Sequence, residues 1–314
     1  MLPSHSTPSV GVVVLNYNHS ELTINCVDSL LNQDYSNFKI VVVDNNSPDP
    51  HQKEILQKEL PENVVLILNP KNTGYAAGNN VGARYCVEEW KGDFVFILNN
   101  DTILEDPKTI EKLVQSFEEN INIVAVSPLV DDAIGDIGTK TSMEWTIQVR
   151  RLLNIYKMII CNVIILNKLP FFKKTVRNYF YVNLMPYEEK LYEVDTINGS
   201  SFMIHNSVLK TINYFNEKTF LYSEELILGY QIKALGKTCG LNCCIVVKHF
   251  QGLSTGNDRN NINWKMHKYH IDSFVVLLKD YYKAPQWLIV FFKILRFLDF
   301  IFKKMYLWIM NIFG

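Results

Sequence analysis

The chain has 314 residues, 48% of them apolar, with 31 Lys and Arg against 32 Asp and Glu and a formal net charge of −1. That length suits one large domain or two smaller ones, with enough apolar residues for a full core. The near-balanced charge provides no global field for nucleic acid, so no nucleic-acid partner is expected. The six cysteines (Cys26, Cys86, Cys161, Cys239, Cys243 and Cys244) contain no CxxC pair and no zinc-site spacing. Four lie in apolar runs and are expected as buried thiols of a reducing compartment. The first nine residues are polar and the apolar run that follows is too short for a signal peptide, so the main body is expected in the cytoplasm.

Short β-branched runs alternate with helical patterns through the first third. Residues 10–15 form an apolar run that ends in Asn16, Tyr17 and Asn18. Ser20 is placed to cap a helix carrying Leu22, Val27, Leu30 and Leu31. Residues 40–43 form the next run, ending at Asp44, and 64–68 another. A Gly/Asn-rich turn then leads to a helix expected over about 79–90. Residues 94–98 form a buried run ending at Asn99, and Asp106-Pro107 opens a helix with Pro at its first position. Runs apolar throughout suit strands covered on both faces, as in a parallel sheet. In such sheets ligands bind beyond the carboxyl ends of the strands, where these Asn and Asp residues fall.

From about 143 to 190 the chain is basic, aromatic and weakly patterned. Compact α/β patterning returns at 192–240, with Ser223 placed to cap a helix that Gly236 stops. After Pro285 the chain is strongly apolar. Its polar residues (Lys293, Arg296, Asp299, Lys303 and Lys304, with Gln286 and Asn311) fall within an arc of about 140° on a helical wheel. Central cations would each cost roughly 2.5–3.5 kcal/mol in a spanning helix. An amphipathic helix lying in the plane of an anionic leaflet fits this pattern; a helix packed on the body or on a dimer partner is the alternative. No clear heptad supports a homodimer, although one is compatible with the sequence. The basic segment at 150–177 offers a second membrane contact.

Each chemistry-bearing segment has two readings. Asp44 is a carboxylate able to accept the imide N–H of uracil or thymine, or the start of an Asx turn, as Asn46 and Ser47 follow. Asn72, Gly74, Gly78 and Asn79 mark a turn that brings backbone N–H groups to an anion at a helix N-terminus, or a plain glycine turn. It is neither a P-loop nor GxGxxG. Asn99, Asn100 and Asp101 end a strand with oxygens suited to a divalent cation beside a departing diphosphate, or with ordinary strand-exit chemistry. Glu224 and Glu225 start a helix, where mutual repulsion raises one pKa toward that of a general base, or where both complement the helix dipole. His249 is either a metal ligand or a structural imidazole. His267 and His270 have no acidic company and read as structural.

The order of these segments resembles the inverting GT-A glycosyltransferases of family two, most closely a rhamnosyltransferase-like branch of bacterial surface-polysaccharide synthesis. The matching text is VLNYN at 14–18, VVVDNNS at 41–47, NTGYAAGNN at 72–80, FILNND at 96–101, NGSS at 198–201, FLYSEE at 220–225 and HFQGLS at 249–254, within roughly residues 9–256. The resemblance implies an α/β GT-A fold with a mostly parallel central sheet over 1–260, containing the basic insertion. A helical, membrane-associating region at 261–314 follows. It implies a donor seat from Asn16, Tyr17, Asn18, Asp44, Asn46, Asn72, Gly74, Gly78, Asn79, Asn100 and Gly199. It implies Mg²⁺ or Mn²⁺ held by Asp101, with His249 and Asn99. Glu225 aligns with the catalytic base, preceded by Glu224, and Ile227 replaces the acid usually found two residues later. The reaction implied is transfer from dTDP-rhamnose or a UDP-sugar to a lipid-linked saccharide acceptor of O-antigen or capsule synthesis. It would take place at the cytoplasmic face of the cell membrane. A sugar nucleotidyltransferase would want a Gly-rich N-terminus with Arg and Lys, absent from residues 1–20. A non-catalytic nucleotide-sugar-binding or scaffold protein is the other alternative.

Overall fold

Continuous apolar runs set the centre of the molecule, and the computed structural model describes residues 7–132, 148–184, 188–250 and 263–313. In chain order, β1 (Val10–Asn16), α1 (Ser20–Leu31), β2 (Phe38–Asp44), α2 (Pro50–Glu59), β3 (Val65–Leu68), α3 (Tyr75–Arg84) and β4 (Phe94–Asn99) alternate strand with helix. The four strands pair in parallel in the order β3-β2-β1-β4. Their side chains alternate between two cores: Val13, Val41, Val43 and Ile97 pack on one face, and Val12, Val14, Val42 and Phe96 on the other. That double burial is why the runs are apolar without interruption. Register places Asn16 opposite Asp44 and Leu15 opposite Asn99, so the polar strand ends share one edge.

The second half departs from the expected mostly parallel sheet. It contains β5 (Thr102–Ile103), α4 (Thr109–Glu119), β6 (Ile123–Asp132), α5 (Ile155–Asn162), α6 (Ile164–Asn167) and α7 (Lys173–Tyr179). Then come β7 (Leu191–Val194), β8 (Ser201–His205), α8 (Asn206–Thr211), α9 (Glu224–Ala234), β9 (Thr238–His249), α10 (Trp264–Val276) and α11 (Gln286–Phe313). β8 runs antiparallel to β4 and β6, and β9 antiparallel to β5 and β7, while β6 and β9 are parallel. The sheet is therefore mixed. Burial on both faces requires only cover, not a direction. The chain enters β8 at the edge where β4 leaves it, with Asn99 N–H donating to the Ser200 carbonyl, and so must return antiparallel.

Several boundaries also move. The helix expected from 79 begins at Tyr75 with Gly74 before it, and its last turn, Tyr85–Glu89, widens to π-type bonding. α4 begins at Thr109 rather than Pro107; Asp106 instead accepts the Lys108 N–H, and its carbonyl accepts the Thr109 N–H. Neither expected serine caps with its side chain. Ser20 is already helical and its hydroxyl donates to the Gln52 carbonyl, while Ser223 precedes α9 in a left-handed conformation. All six cysteines are free thiols, five buried and Cys244 exposed.

A third core joins the basic insertion to the C-terminal helices. Met158, Tyr179, Leu226, Ile227, Phe274, Leu278 and Phe292 pack together there. Ile227, standing where the resemblance expects an acid, is fully committed to this core. On α11 the buried side includes Leu288, Ile289 and Phe292, but also Arg296 and Asp299. Arg296 lies 3.0 Å from Asp299, whose carboxylate also accepts the N–H groups of Ile164 and Ile165 at the start of α6. His267 bonds to the Arg296 carbonyl, and His270 stacks on Tyr222, so both act as structural groups. Asp299→Ala would leave a buried guanidinium unpaired and α6 uncapped. It is expected to lower the unfolding free energy by about 3–5 kcal/mol in urea titration at neutral pH; an unchanged midpoint would remove the pair from the stability of this layer.

Candidate active site

Asn16 is the hub of the strand-end edge. Its amide nitrogen donates to Asp44 at 2.8 Å and to Ser47 Oγ at 3.2 Å; its amide oxygen accepts from Thr23 Oγ1 at 2.7 Å. Asp44 is fully buried, and its second oxygen accepts the Ser47 N–H at 3.0 Å. Asp44 thus has both oxygens engaged inside the protein in this structure. What it holds is the loop where Ser47 Oγ accepts the Asn18 N–H. Tyr17 is exposed, and Asn18 and Asn46 are half-buried. Asn18 and Asn46 both sit at positive φ, 57° and 61°, conformations a surrounding network must maintain. Asn100, expected at the donor, turns inward and donates to Thr23 at 3.1 Å.

The glycine turn also proves internal. Gly74 has φ 90°, and a Cβ there would lie 2.3 Å from the Phe220 carbonyl oxygen. That carbonyl accepts the Tyr75 N–H at 2.8 Å, and Asn72 accepts the Gly74 N–H at 2.9 Å. The start of α3 is thus partly satisfied by protein. Gly78 lies within the helix, where a Cβ would strike Leu15 and Asn45, and Asn79 is fully buried, donating to the Tyr75 carbonyl. The close approach these glycines permit is between segments of the protein.

Asp101 and His249 come together as the resemblance implies. β5 pairs with the end of β9, Thr102 opposite His249, and the Phe250 N–H donates to the Asp101 carbonyl at 2.9 Å. His249 Nε2 then lies 3.2 Å from Asp101 Oδ1, both side chains nearly buried. Residues 251–254 of the same motif lie outside the described residues. Among the described residues no three His, Cys, Asp or Glu groups are clustered to hold a metal unaided. A carboxylate and an imidazole 3.2 Å apart are a donor set that fits a divalent cation.

The acid pair starts α9 after Tyr222 and Ser223, both at positive φ (76° and 66°). α10 holds this turn: Ser273 donates to the Leu221 carbonyl, and Phe220 stacks on Tyr269. A Cβ on Gly199 would lie 2.4 Å from Glu225 Oε1, so a side chain there would make that carboxylate shift. The Gly199 carbonyl accepts the Tyr75 hydroxyl. Glu225 is about one-quarter exposed and lies 3.9 Å from Arg150. The expected split of the pair occurs, on the other member: burial, then repulsion from Glu225, pushes Glu224 up to about 8.

Four participants were not singled out from sequence. Asn45 bonds Asn72 and the Gly74 carbonyl, tying β2 to the glycine turn. Thr23 links Asn16 to Asn100. Tyr75 has its hydroxyl pKa raised well above 10 by burial and then by Glu225 and Glu224, and so remains a neutral donor. Arg150, read as part of a basic membrane segment, reaches Glu225 instead. Asn45 and Tyr75 lie inside quoted motifs; for Thr23 and Arg150 the sequence carries no local signal.

The mixed sheet with its polar strand ends is a GT-A-like fold. Its similarity to GalNAc-T7 crystallised with UDP, GalNAc and Mn²⁺ has a TM-score of 0.62 at 16% identity, covering 89% of this chain and 49% of that one. A mannosyltransferase from Pyrobaculum calidifontis, in complex with GDP-Man and Mn²⁺, gives 0.56 at 17% identity, covering 89% and 66%. The model of Glycosyl transferase family 2 matches residues 11–184, and the chain belongs to that family. It is 26% identical over 228 residues to the low-salt glycan biosynthesis hexosyltransferase Agl10 of Haloferax volcanii, covering 71% of this chain and 61% of that protein. It is 31% identical over 113 residues to the O-antigen biosynthesis protein RfbC of Myxococcus xanthus, covering 36% of this chain and 8% of that protein. The chain thus spans only part of these relatives.

Glu224 gives a stability test. Its ordinary pKa is 4.5, against about 8 in the fold. Between these values the folded state keeps a proton that the unfolded chain has released, so this group's contribution to stability falls as pH rises and levels off above about 8. Glu224→Gln removes that slope. The melting temperature of the variant relative to the parent is expected to rise from pH 5 to pH 8 and then flatten; a constant difference would refute the buried neutral carboxyl. Gly74→Ala adds a left-handed strain of about 1–3 kcal/mol and a clash with Phe220, and is expected to lower thermal stability by at least that strain.

Proposed function

We propose that this chain transfers a hexosyl group from a nucleotide-diphosphate sugar to a hydroxyl of a saccharide acceptor, with inversion at the anomeric carbon. The carrying observation is the meeting, at one sheet edge, of the Asn16–Asp44 hub, the Asp101–His249 pair and the Glu225 carboxylate, linked through Tyr75 and Gly199. Family membership and the hexosyltransferase named for the Haloferax relative support the same class.

In this reading the nucleoside rests against the loop of Tyr17, Asn18 and Asn46, which Asp44 and Ser47 hold in shape. Asp101 and His249, with Asn99, would hold a divalent cation; both structural neighbours were solved with Mn²⁺. A bound Mg²⁺ or Mn²⁺ supplies positive charge to the departing diphosphate. Glu225 accepts the acceptor proton as the hydroxyl oxygen attacks, and Arg150 orients that carboxylate from 3.9 Å. Glu224, neutral and buried, adds no second negative charge beside it. The donor is dTDP-rhamnose or a UDP-sugar. The acceptor is a lipid-linked saccharide of surface-polysaccharide synthesis, met at the cytoplasmic face of the membrane; the O-antigen relative supports that pathway class.

Glu225→Gln should lower transfer by about 10²–10⁴-fold while leaving the thermal shift on donor binding intact. Transfer at the parent rate would end the base assignment. Asp101→Ala should abolish the Mn²⁺-dependent part of the stabilisation in a screen of UDP, dTDP and GDP with and without Mn²⁺. The nucleotide giving the largest shift identifies the donor; a Mn²⁺ response unaffected by Asp101→Ala would remove the metal assignment.

A further inference from the structure

α11 presents the opposite side from the one an amphipathic surface helix normally buries. The 28-residue helix is about 42 Å long at 1.5 Å per residue. Of its charged arc, the Arg296–Asp299 pair turns toward the body and is sealed against α6, while Lys293, Lys303 and Lys304 stay exposed. Its outward side carries Phe291, Ile294, Phe297, Ile301, Met305 and Trp308, each between 36% and 66% exposed. A continuous stripe of this size is unusual on a soluble monomer and marks an interaction surface. No helix among the described residues is long and apolar enough to cross a membrane.

The surrounding charge selects the occupant. Lys293, Lys303 and Lys304 are exposed along the same helix, and its one acidic residue, Asp299, is buried and bonded. α6, which Asp299 caps, runs directly into an exposed basic and apolar turn: Lys168, Leu169, Phe171, Lys173 and Lys174. Residues 148–184 contain no Asp or Glu. Apolar side chains rimmed by lysine alone match an anionic lipid surface, whose headgroups take the cations while the acyl boundary takes the rings. A protein partner's core would ordinarily be depleted of such charge around it.

We propose that the outward face of α11, with the exposed lysines of the helix and of the Lys168–Lys174 turn, is an in-plane docking surface for an anionic bilayer, and that the buried Arg296–Asp299 pair sets its orientation by anchoring the opposite side of the helix to α6. This deepens the membrane side of the reading above and rests on it for its biological sense. Because the third core ties α11 to Leu226 and Ile227 of α9, the docked face and the acid pair belong to one packed unit. An acceptor on a lipid carrier would then be met at a defined distance from the surface.

The test is co-sedimentation of the full chain with phosphatidylcholine vesicles, with and without phosphatidylglycerol. No nucleotide or acceptor enters this assay, so it fails separately from the transferase reading. Binding is expected with the anionic vesicles and should weaken when salt rises from about 0.1 M to about 1 M. The triple variant Phe291→Glu, Ile294→Glu, Ile301→Glu should lose about tenfold or more of that binding, since bound strength follows buried apolar area. All three side chains are exposed, so its melting temperature should match the parent's. Lys168→Glu with Lys173→Glu should weaken binding to anionic vesicles only. Absence of vesicle binding, or binding unaffected by the triple variant, would overturn the proposal. Equal binding to both vesicle types would overturn the anionic assignment. A parent dimer that the triple variant dissociates, without vesicle binding, would assign the face to a second copy instead.

Discussion

Much of the sheet edge depends on one backbone contact, Gly74 against Phe220. The Phe220 carbonyl sits where a Cβ of residue 74 would be, and it accepts the Tyr75 N–H at 2.8 Å. That bond fixes the start of α3 relative to the turn that launches α9. One side of the contact carries Asn45, Asn72 and the strand ends; the other carries Glu224 and Glu225. Tyr75, the next residue, extends the link by donating to the Gly199 carbonyl, above which Glu225 lies. The strand ends and the acid pair are therefore positioned by hydrogen bonds and close packing rather than by chain neighbourhood.

Most of the conspicuous polar residues maintain this geometry instead of facing a ligand. Asp44, Asn16, Asn79 and Asn100 are buried and bonded to one another or to backbone, as polar groups removed from water must be. Their bonding keeps the neighbouring loop residues in left-handed conformations that would otherwise relax. The Asp101–His249 pair, Glu225 beside Arg150, and the loop of Tyr17, Asn18 and Asn46 are the groups to which the proposed chemistry is assigned. The two acids of α9 are separated by environment. Burial favours the neutral form of Glu224, whereas Glu225 opens toward solvent beside a guanidinium.

The basic insertion and the C-terminal helices form a layer against α9 instead of standing apart. α10 grips the turn before the acid pair through Ser273 and Tyr269, and α11 closes the core beneath it. Ile227 explains itself in this layer, since an acid at that position would face Met158, Phe274 and Leu278. The same packing gives α11 an ion pair, Arg296–Asp299, satisfied inside beside Leu288, Ile289 and Phe292, and an apolar stripe outside.

The parallel half of the sheet, the edge to which its strand ends point and the position of the acid pair at a helix start were legible in the residues. Uninterrupted apolar runs ending in Asn and Asp can be read locally, and the order of motifs matched a family to which the chain belongs. The antiparallel strands were not legible, because direction follows from where the chain re-enters the sheet, as at Ser200 beside Asn99. Nor was the inward use of Asp44, Gly74 and Asn100, since a motif names a residue type without saying which neighbour consumes its hydrogen bonds. Composition established that α11 has two faces. Only tertiary packing decided which side is buried, because the Asp299 carboxylate, paired with Arg296 on its own helix, is met by two backbone N–H groups at the start of α6.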